Sequence, residues 1–255
     1  MELLEYSVDG AVVLIRLNRP PVNAISNEVT HELAEAFENA SDPGIRAAVI
    51  WGEPHFSTGA DIKGFVAHQK EGSGEQYDIP LRAAIRKFEQ LAKPTFAAVY
   101  GYALGGGLEL AVVADFRYLA SDAQVGQPEI NLGLIPGAGG TQRLTRLVGV
   151  SKARDIVYSG RFVPADEALA IGLADRVADP DELLDVTLED AARYAKGPTL
   201  GLAAAKRAIN DGWGRPIDEA VAVEEQAFND VFWTEDAEAG VAAFITKESP
   251  EFTGR

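Results

Sequence analysis

The chain opens on two short runs of strand character, Glu2 to Val8 and Ala11 to Leu17, on either side of Asp9-Gly10. Asp-Gly is a favoured two-residue hairpin turn, so a β-hairpin is expected at the start. The period then changes. Val29, Leu33, Ala36 and Phe37 recur at helical spacing, which predicts a helix from about Glu28 to Ala40 with Asn27 as its cap. Asp42-Pro-Gly44 ends it, and Ala47 to Trp51 predicts a third strand. Gln69 to Gln76 is polar and glycine-containing and reads as a mobile loop. Pro80 starts a helix through Leu91, with Leu81, Ala84, Ile85 and Phe88 facing inward. Pro94 to Tyr100 is an apolar run with strand character, and Phe116 to Ala120 is another. A glycine-rich, largely apolar wall runs from Ala123 to Thr141. Helices are expected at Gln142 to Leu147, Ser151 to Tyr158 and Pro164 to Ile171, then near 181–196, 199–211, 216–232 and 235–247. Strand and helix thus alternate for two-thirds of the chain, and helix alone follows. This predicts an α/β core over residues 1–195 and a helical region over 196–255.

Composition narrows the class. Of 255 residues, 47% are hydrophobic and 24% charged, enough apolar material for a large core. The absence of cysteine excludes disulfides, thiolate metal sites and a cysteine nucleophile. A formal charge of −16 argues against a nucleic-acid partner, because phosphate binding relies on clustered Lys and Arg. No apolar run approaches the ~20 residues of a membrane helix. Met1 leads directly into a strand-like segment with no basic or apolar leader, so a cytoplasmic location without membrane attachment is expected.

Two stretches carry candidate chemistry. In Gly101-Tyr-Ala-Leu-Gly-Gly-Gly-Leu-Glu-Leu110, a strand runs into a glycine turn that opens a helix. Free backbone N–H groups converge there on one point, suited to a negatively charged oxygen, and Glu109 lies in the first helical turn. The same glycines would also let two backbones pack closely, and Glu109 would also serve as ordinary dipole compensation. His55-Phe-Ser-Thr-Gly-Ala-Asp-Ile-Lys63 repeats the plan of strand, small-residue turn and helix start. Other chemistries lack their motifs. His31-Glu32 has no second histidine at zincin spacing, and there is no Gly-x-Ser-x-Gly elbow or Walker lysine. Gly137 to Gln142 starts like a dinucleotide turn but lacks its last glycine. Acid–base chemistry by carboxylates remains.

Three segments, Phe56 to Lys63, Gly101 to Leu110 and Gly126 to Leu144, in this order, resemble the crotonase superfamily, and within it the enoyl-CoA hydratases. Arg19-Pro-Pro-Val-Asn-Ala-Ile25 is similar to the hydratase region of fused hydratase/dehydrogenase enzymes. The resemblance implies a spiral of ββα units with a C-terminal helical trimerisation region, in trimers or hexamers built as dimers of trimers. It implies reversible addition of water across the 2,3 double bond of an acyl-CoA thioester, as in fatty-acid breakdown, with no cofactor beyond the coenzyme A of the substrate. By motif, the oxyanion hole falls on the backbone N–H groups of Ala60 and Gly106, and the two catalytic glutamates on Glu109 and Glu129. Substrate contacts are implied at Ala24, Ala60, Asp61, Ile62, Lys63, Gly106 and Gly137. Arg82, Arg86 and Lys247 are candidate phosphate contacts, each also readable as part of a solvated face. Leu132, Leu134 and Ile135 are expected to pack on the acids and raise a carboxyl pKa. Competing readings are double-bond isomerisation, or an acyl-CoA-binding or RNA-binding member without turnover. The intact acid pair and the acidic charge favour hydration.

Overall fold

The computed structural model describes residues 1–62 and 79–255. The expected hairpin is β1 (Leu4–Asp9) and β2 (Val12–Leu17), paired antiparallel with Asp9 opposite Val12. Helix α1 (Asn27–Asn39) follows. Its cap is Ser26, one residue before the expected Asn27, and the Ser26 hydroxyl accepts from the Val29 N–H at 3.4 Å. Strand β3 (Ala47–Gly52) pairs parallel with β2, and β4 (Thr95–Val99) pairs parallel with β3. Both strands are almost wholly buried, which explains why each reads as a continuous apolar run and not as an alternation. Helix α2 (Pro80–Glu89) precedes β4 and packs on α1, with the Phe37 and Phe88 rings 4.7 Å apart.

The chain then leaves this sheet to build a second one. β5 (Tyr102–Leu104), α3 (Gly106–Ala111), β6 (Phe116–Ala120) and β7 (Gln124–Gly126) follow, then a 3-10 turn over Pro128–Leu132. α4 (Gly140–Ser159) is interrupted at Gly149, where φ is 78° and ψ 162°. This break separates the two helices expected from the sequence. β8 (Phe162–Pro164), α5 (Ala165–Ala170), β9 (Arg176–Ala178) and α6 (Leu183–Ala195) complete the core. The large sheet has the order β1-β2-β3-β4-β6-β9, and the small one β5-β7-β8. α6 lies over the large sheet and sets Tyr194 against Phe96 and Phe116, with ring centroids 5.8 and 5.2 Å away.

Helices α7 (Thr199–Gly212), α8 (Ile217–Phe232) and α9 (Glu235–Thr246) form the C-terminal region. Polar contacts tie it to the core. Arg46 donates to Gly197 O, Thr199 Oγ1 and Phe252 O, and Lys206 donates to Asp115 Oδ2 at 2.9 Å. Large apolar side chains on these helices, such as Phe228 and Phe244, and Trp233 at the end of α8 remain exposed in the single chain.

Candidate active site

Isolated bridges explain how two distant turns come to face each other. Ser57 and Ala103 form an isolated parallel bridge, so the turn after β3 lies beside β5. Gly107 makes that approach possible, since a Cβ there would sit 2.3 Å from Ser57 O. On the other side of the turn, Ala60 bridges Ile25 in parallel. Ile25 N donates to Gly59 O and Asp61 N donates to Ile25 O. In a parallel bridge the neighbours of Ala60 make these bonds, and its own N–H points the opposite way. Gly106 is the first residue of α3, whose N–H has no partner in the preceding turn. Neither N–H donates to an acceptor among the described residues. A Cβ built on Gly106 would be 3.6 Å from Ala60 N, and one built on Gly59 would be 3.3 Å from Gly106 N. Two free donors therefore sit side by side.

Both glutamates lie next to them. Glu109 is one turn along α3 and only 3% exposed. Its Oε1 accepts from Ala138 N at 2.6 Å and from Gly140 N at 2.8 Å. Burial pushes its pKa up, against the pull of these two N–H groups and of Arg143 and Arg82. Glu129 lies in the 3-10 turn and its carboxylate abuts Gly105, where a Cβ would be 3.0 Å from Glu129 Oε1. Gly105 has φ 53° and ψ −124°, a backbone that an L side chain rarely adopts. Burial pushes Glu129 up to about 7, with a smaller contribution from the charge of Glu109. The Glu109 carboxylate thus adds to the upward push on Glu129.

The expected apolar wall is not what buries Glu129. Leu132, Leu134 and Ile135 are exposed at 54%, 39% and 67%. They follow Glu129 on a turn that points them outward, while its carboxylate turns in toward Gly105 and Gln127. Gln127 is completely buried, and with its amide oriented to donate it reaches both Glu129 oxygens, at 3.0 and 3.1 Å. Sequence reasoning missed Gln127. The available signal was its place two residues before Glu129 in the same glycine-rich segment. It also missed the Ala138 and Gly140 donors, because the Pro136 to Gly140 loop reads as apolar wall.

The other motif residues fall near this centre with uneven roles. Ala24 O accepts from Arg19, whose guanidinium also pairs with Asp61 at 2.8 Å. Arg19 thus links two of the implied substrate contacts. Ile62 is half exposed, and Lys63 lies outside the described residues, as does the loop expected at Gln69 to Gln76. Gly137 flanks the Glu109 donors, and its carbonyl accepts from Arg82 Nη2 at 2.7 Å and Nε at 3.2 Å. That contact occupies a guanidinium expected to face a phosphate. Lys247 caps the end of α9 in a left-handed conformation, with φ 59°. Among the described residues, no group of three or more His, Asp and Glu is placed to hold a metal ion.

Comparison with known proteins identifies the family. Residues 7–255 match the family model described as enoyl-CoA hydratase/isomerase. A "Short-chain-enoyl-CoA hydratase" of Clostridium acetobutylicum is 38% identical over 250 residues, covering 95% of this chain and 94% of the relative. A "Crotonyl-CoA hydratase" of Syntrophomonas wolfei is 37% identical, covering 96% of this chain and 95% of the relative. The crystal structure titled as an enoyl-CoA hydratase of Bacillus anthracis superposes with a TM-score of 0.90 at 33% identity, covering 99% of this chain and all of that one. A Geobacillus kaustophilus structure with a similar title gives 0.91 at 36% identity, covering 99% of this chain and 98% of that one. With the fold, the paired turns and the match over nearly its whole length in agreement, the chain belongs to the enoyl-CoA hydratase/isomerase family.

Proposed function

We propose that this protein is an enoyl-CoA hydratase, a lyase that adds water reversibly across the 2,3 double bond of a 2-enoyl-CoA thioester. The observation that carries the reading is a buried acid, Glu109, and a partly buried one, Glu129, beside two unpartnered backbone N–H groups. The thioester oxygen accepts from Ala60 N–H and Gly106 N–H. As hydroxide character adds to Cβ, negative charge moves onto that oxygen, and each fixed donor contributes ~10²–10³ in rate. Glu109 takes a proton from the attacking water, and Glu129 delivers one to Cα. The C–O and C–H bonds form as the double bond is lost. Returning the proton from Glu109 to Glu129 resets the pair. The active form therefore carries one proton between the two carboxyls, and a Glu129 that titrates near 7 fits that requirement. The coenzyme A belongs to the substrate, and no other cofactor enters.

The substrate-contact set is Ala24, Ala60, Asp61, Ile62, Lys63, Gly106 and Gly137. Homotrimers, or hexamers of two trimers, would cover the apolar side chains left bare on α7 to α9. Among the described residues no helix is long and apolar enough to cross a membrane. We place the protein in the cytoplasm, where a chain without cysteines needs no oxidising environment.

The test adds crotonyl-CoA and follows the ultraviolet absorbance of the conjugated thioester. Loss of absorbance is expected, and no loss with any of several acyl lengths would overturn the reading. Glu109→Gln and Glu129→Gln are each expected to lower kcat by ~10²–10⁴ while still binding acyl-CoA. Either variant turning over near the wild-type rate would contradict its role.

A further inference from the structure

One peptide plane joins an exposed arginine to a buried acid. The Gly137–Ala138 peptide directs its carbonyl at Arg82, which donates from Nη2 at 2.7 Å and Nε at 3.2 Å. The N–H of the same peptide donates to Glu109 Oε1 at 2.6 Å. In a trans peptide the C=O and N–H point in opposite directions, so the three groups form one chain of hydrogen bonds. A cation on the carbonyl polarises the peptide and strengthens its N–H as a donor. The surrounding loop is fixed at neighbouring points. Arg143 donates to Ala138 O at 3.0 Å and grips Glu89 with two bonds of 2.6 and 2.7 Å. Gly139 O accepts from Gln142 N and Arg143 N, and Gly140 N–H completes the pair on Glu109. Arg82 and Glu89 are both on α2, so this helix holds the loop from outside while the loop holds the acid inside.

We propose that Arg82 is a positioning residue for Glu109, acting through the Gly137–Ala138 peptide and not through contact with the substrate. It orients the carboxylate toward the attacking water and favours its ionised form. This rests on the hydratase reading for its catalytic consequence, but not for its electrostatic one. The charged groups facing Glu109 are Arg82 from α2, Arg143 from α4 and Glu129 from the 3-10 turn. Arg82 is exposed, so replacing it leaves the core packing untouched.

The test compares wild type, Arg82→Met and Arg82→Lys in two ways. Carbon-13 NMR of labelled glutamate carboxyls follows the Glu109 titration, assigned with Glu109→Gln. Steady-state kinetics with crotonyl-CoA separates kcat from KM. In Arg82→Met the Glu109 midpoint is expected to rise by roughly half a pH unit or more. Its kcat is expected to fall about five- to tenfold with KM within about twofold, and Arg82→Lys to recover part of both. An unchanged Glu109 midpoint overturns the proposal whatever happens to activity. A several-fold rise in KM at constant kcat also overturns it, and makes Arg82 a substrate-phosphate contact. A shifted midpoint in a protein that hydrates no enoyl-CoA would support the positioning role and sink the hydratase reading alone.

Discussion

Glu129→Gln should make the protein more stable as it makes it inactive, and the gain should depend on pH. The carboxyl titrates at about 7 in the folded chain against an ordinary value of 4.5. Between those two values the native state holds the Glu129 proton and the unfolded state has released it. The native state then binds more protons, so stability falls as pH rises through this window. At 1.36 kcal/mol per pH unit, the full loss is ~3 kcal/mol once both states are ionised. The amide of the variant cannot ionise. It matches the carboxylate in shape and keeps a partner in Gln127. The variant's advantage over wild type should be close to zero near about pH 4 and approach ~3 kcal/mol near about pH 9. The repulsion between the Glu129 and Glu109 charges is already contained in that figure. Other groups titrate alike in both proteins and cancel in the difference. The assay is urea denaturation followed by tryptophan fluorescence, at several pH values and one fixed protomer concentration, because assembly would contribute to apparent stability. A difference that stays constant across the range to within ~0.5 kcal/mol would refute the argument. It would mean that the folded state does not hold the proton.

In the proposed mechanism the acid pair should set the pH dependence of turnover. Overall hydration consumes no net proton, so its equilibrium constant does not change with pH and kcat/KM must follow one profile in both directions. That profile should be a bell whose basic limb, loss of the shared proton, falls near about 7. Distinct limbs for hydration and dehydration, or a flat profile through neutrality, would remove the one-proton scheme. Gly105→Ala should lower kcat by more than ~10-fold, since its Cβ would lie 3.0 Å from Glu129 Oε1 and its φ of 53° is costly for alanine. Wild-type kinetics in that variant would show that Glu129 need not sit against the turn. Lys93 is 4% exposed and donates to the carbonyls of Ala40, Asp42 and Ile45 at 2.6 to 2.9 Å. Lys93→Met leaves these acceptors without their donor and should cost ~3 kcal/mol in thermal or urea denaturation. A cost under ~1 kcal/mol would mean that water replaces the ammonium there.

Much of the fold was legible because its signals are local. The hairpin signal at Asp9-Gly10, the apolar runs of β3 and β4, and the helical spacing in α1 and α2 are each local. The elements formed where these signals placed them, except that the two-residue turn is Gly10-Ala11, one residue later than expected, with Asp9 paired in β1. The second sheet was not legible. β5, β7 and β8 are three residues each, too short for a period-two pattern to show. β5 was concealed inside the glycine motif and β7 inside the glycine-rich wall. Their pairing, Tyr102 with Gln124 and Gln124 with Pro164, joins residues far apart in sequence and leaves no local trace.

Non-local pairing of this kind is also why the site was only half readable. The glycines and the two acids stand out as residue types, since a turn with room for backbone and a carboxyl at a helix start each have a composition. Whether a given backbone N–H is free does not. The Ala60 N–H is free because Ile25 bonds to the residues on either side of it, and the Gly106 N–H because a helix begins there. The donors on Glu109 come from Ala138 and Gly140, whose side chains, a methyl and a hydrogen, announce nothing. The fully buried Gln127, with hydrogen-bonding reach to both Glu129 oxygens, reads in sequence as one more polar residue in a loop. The main chain makes the two unpartnered donors and holds Glu109. Main-chain direction is a property of ladders and turns, so those parts of the site become visible only once the pairing is known.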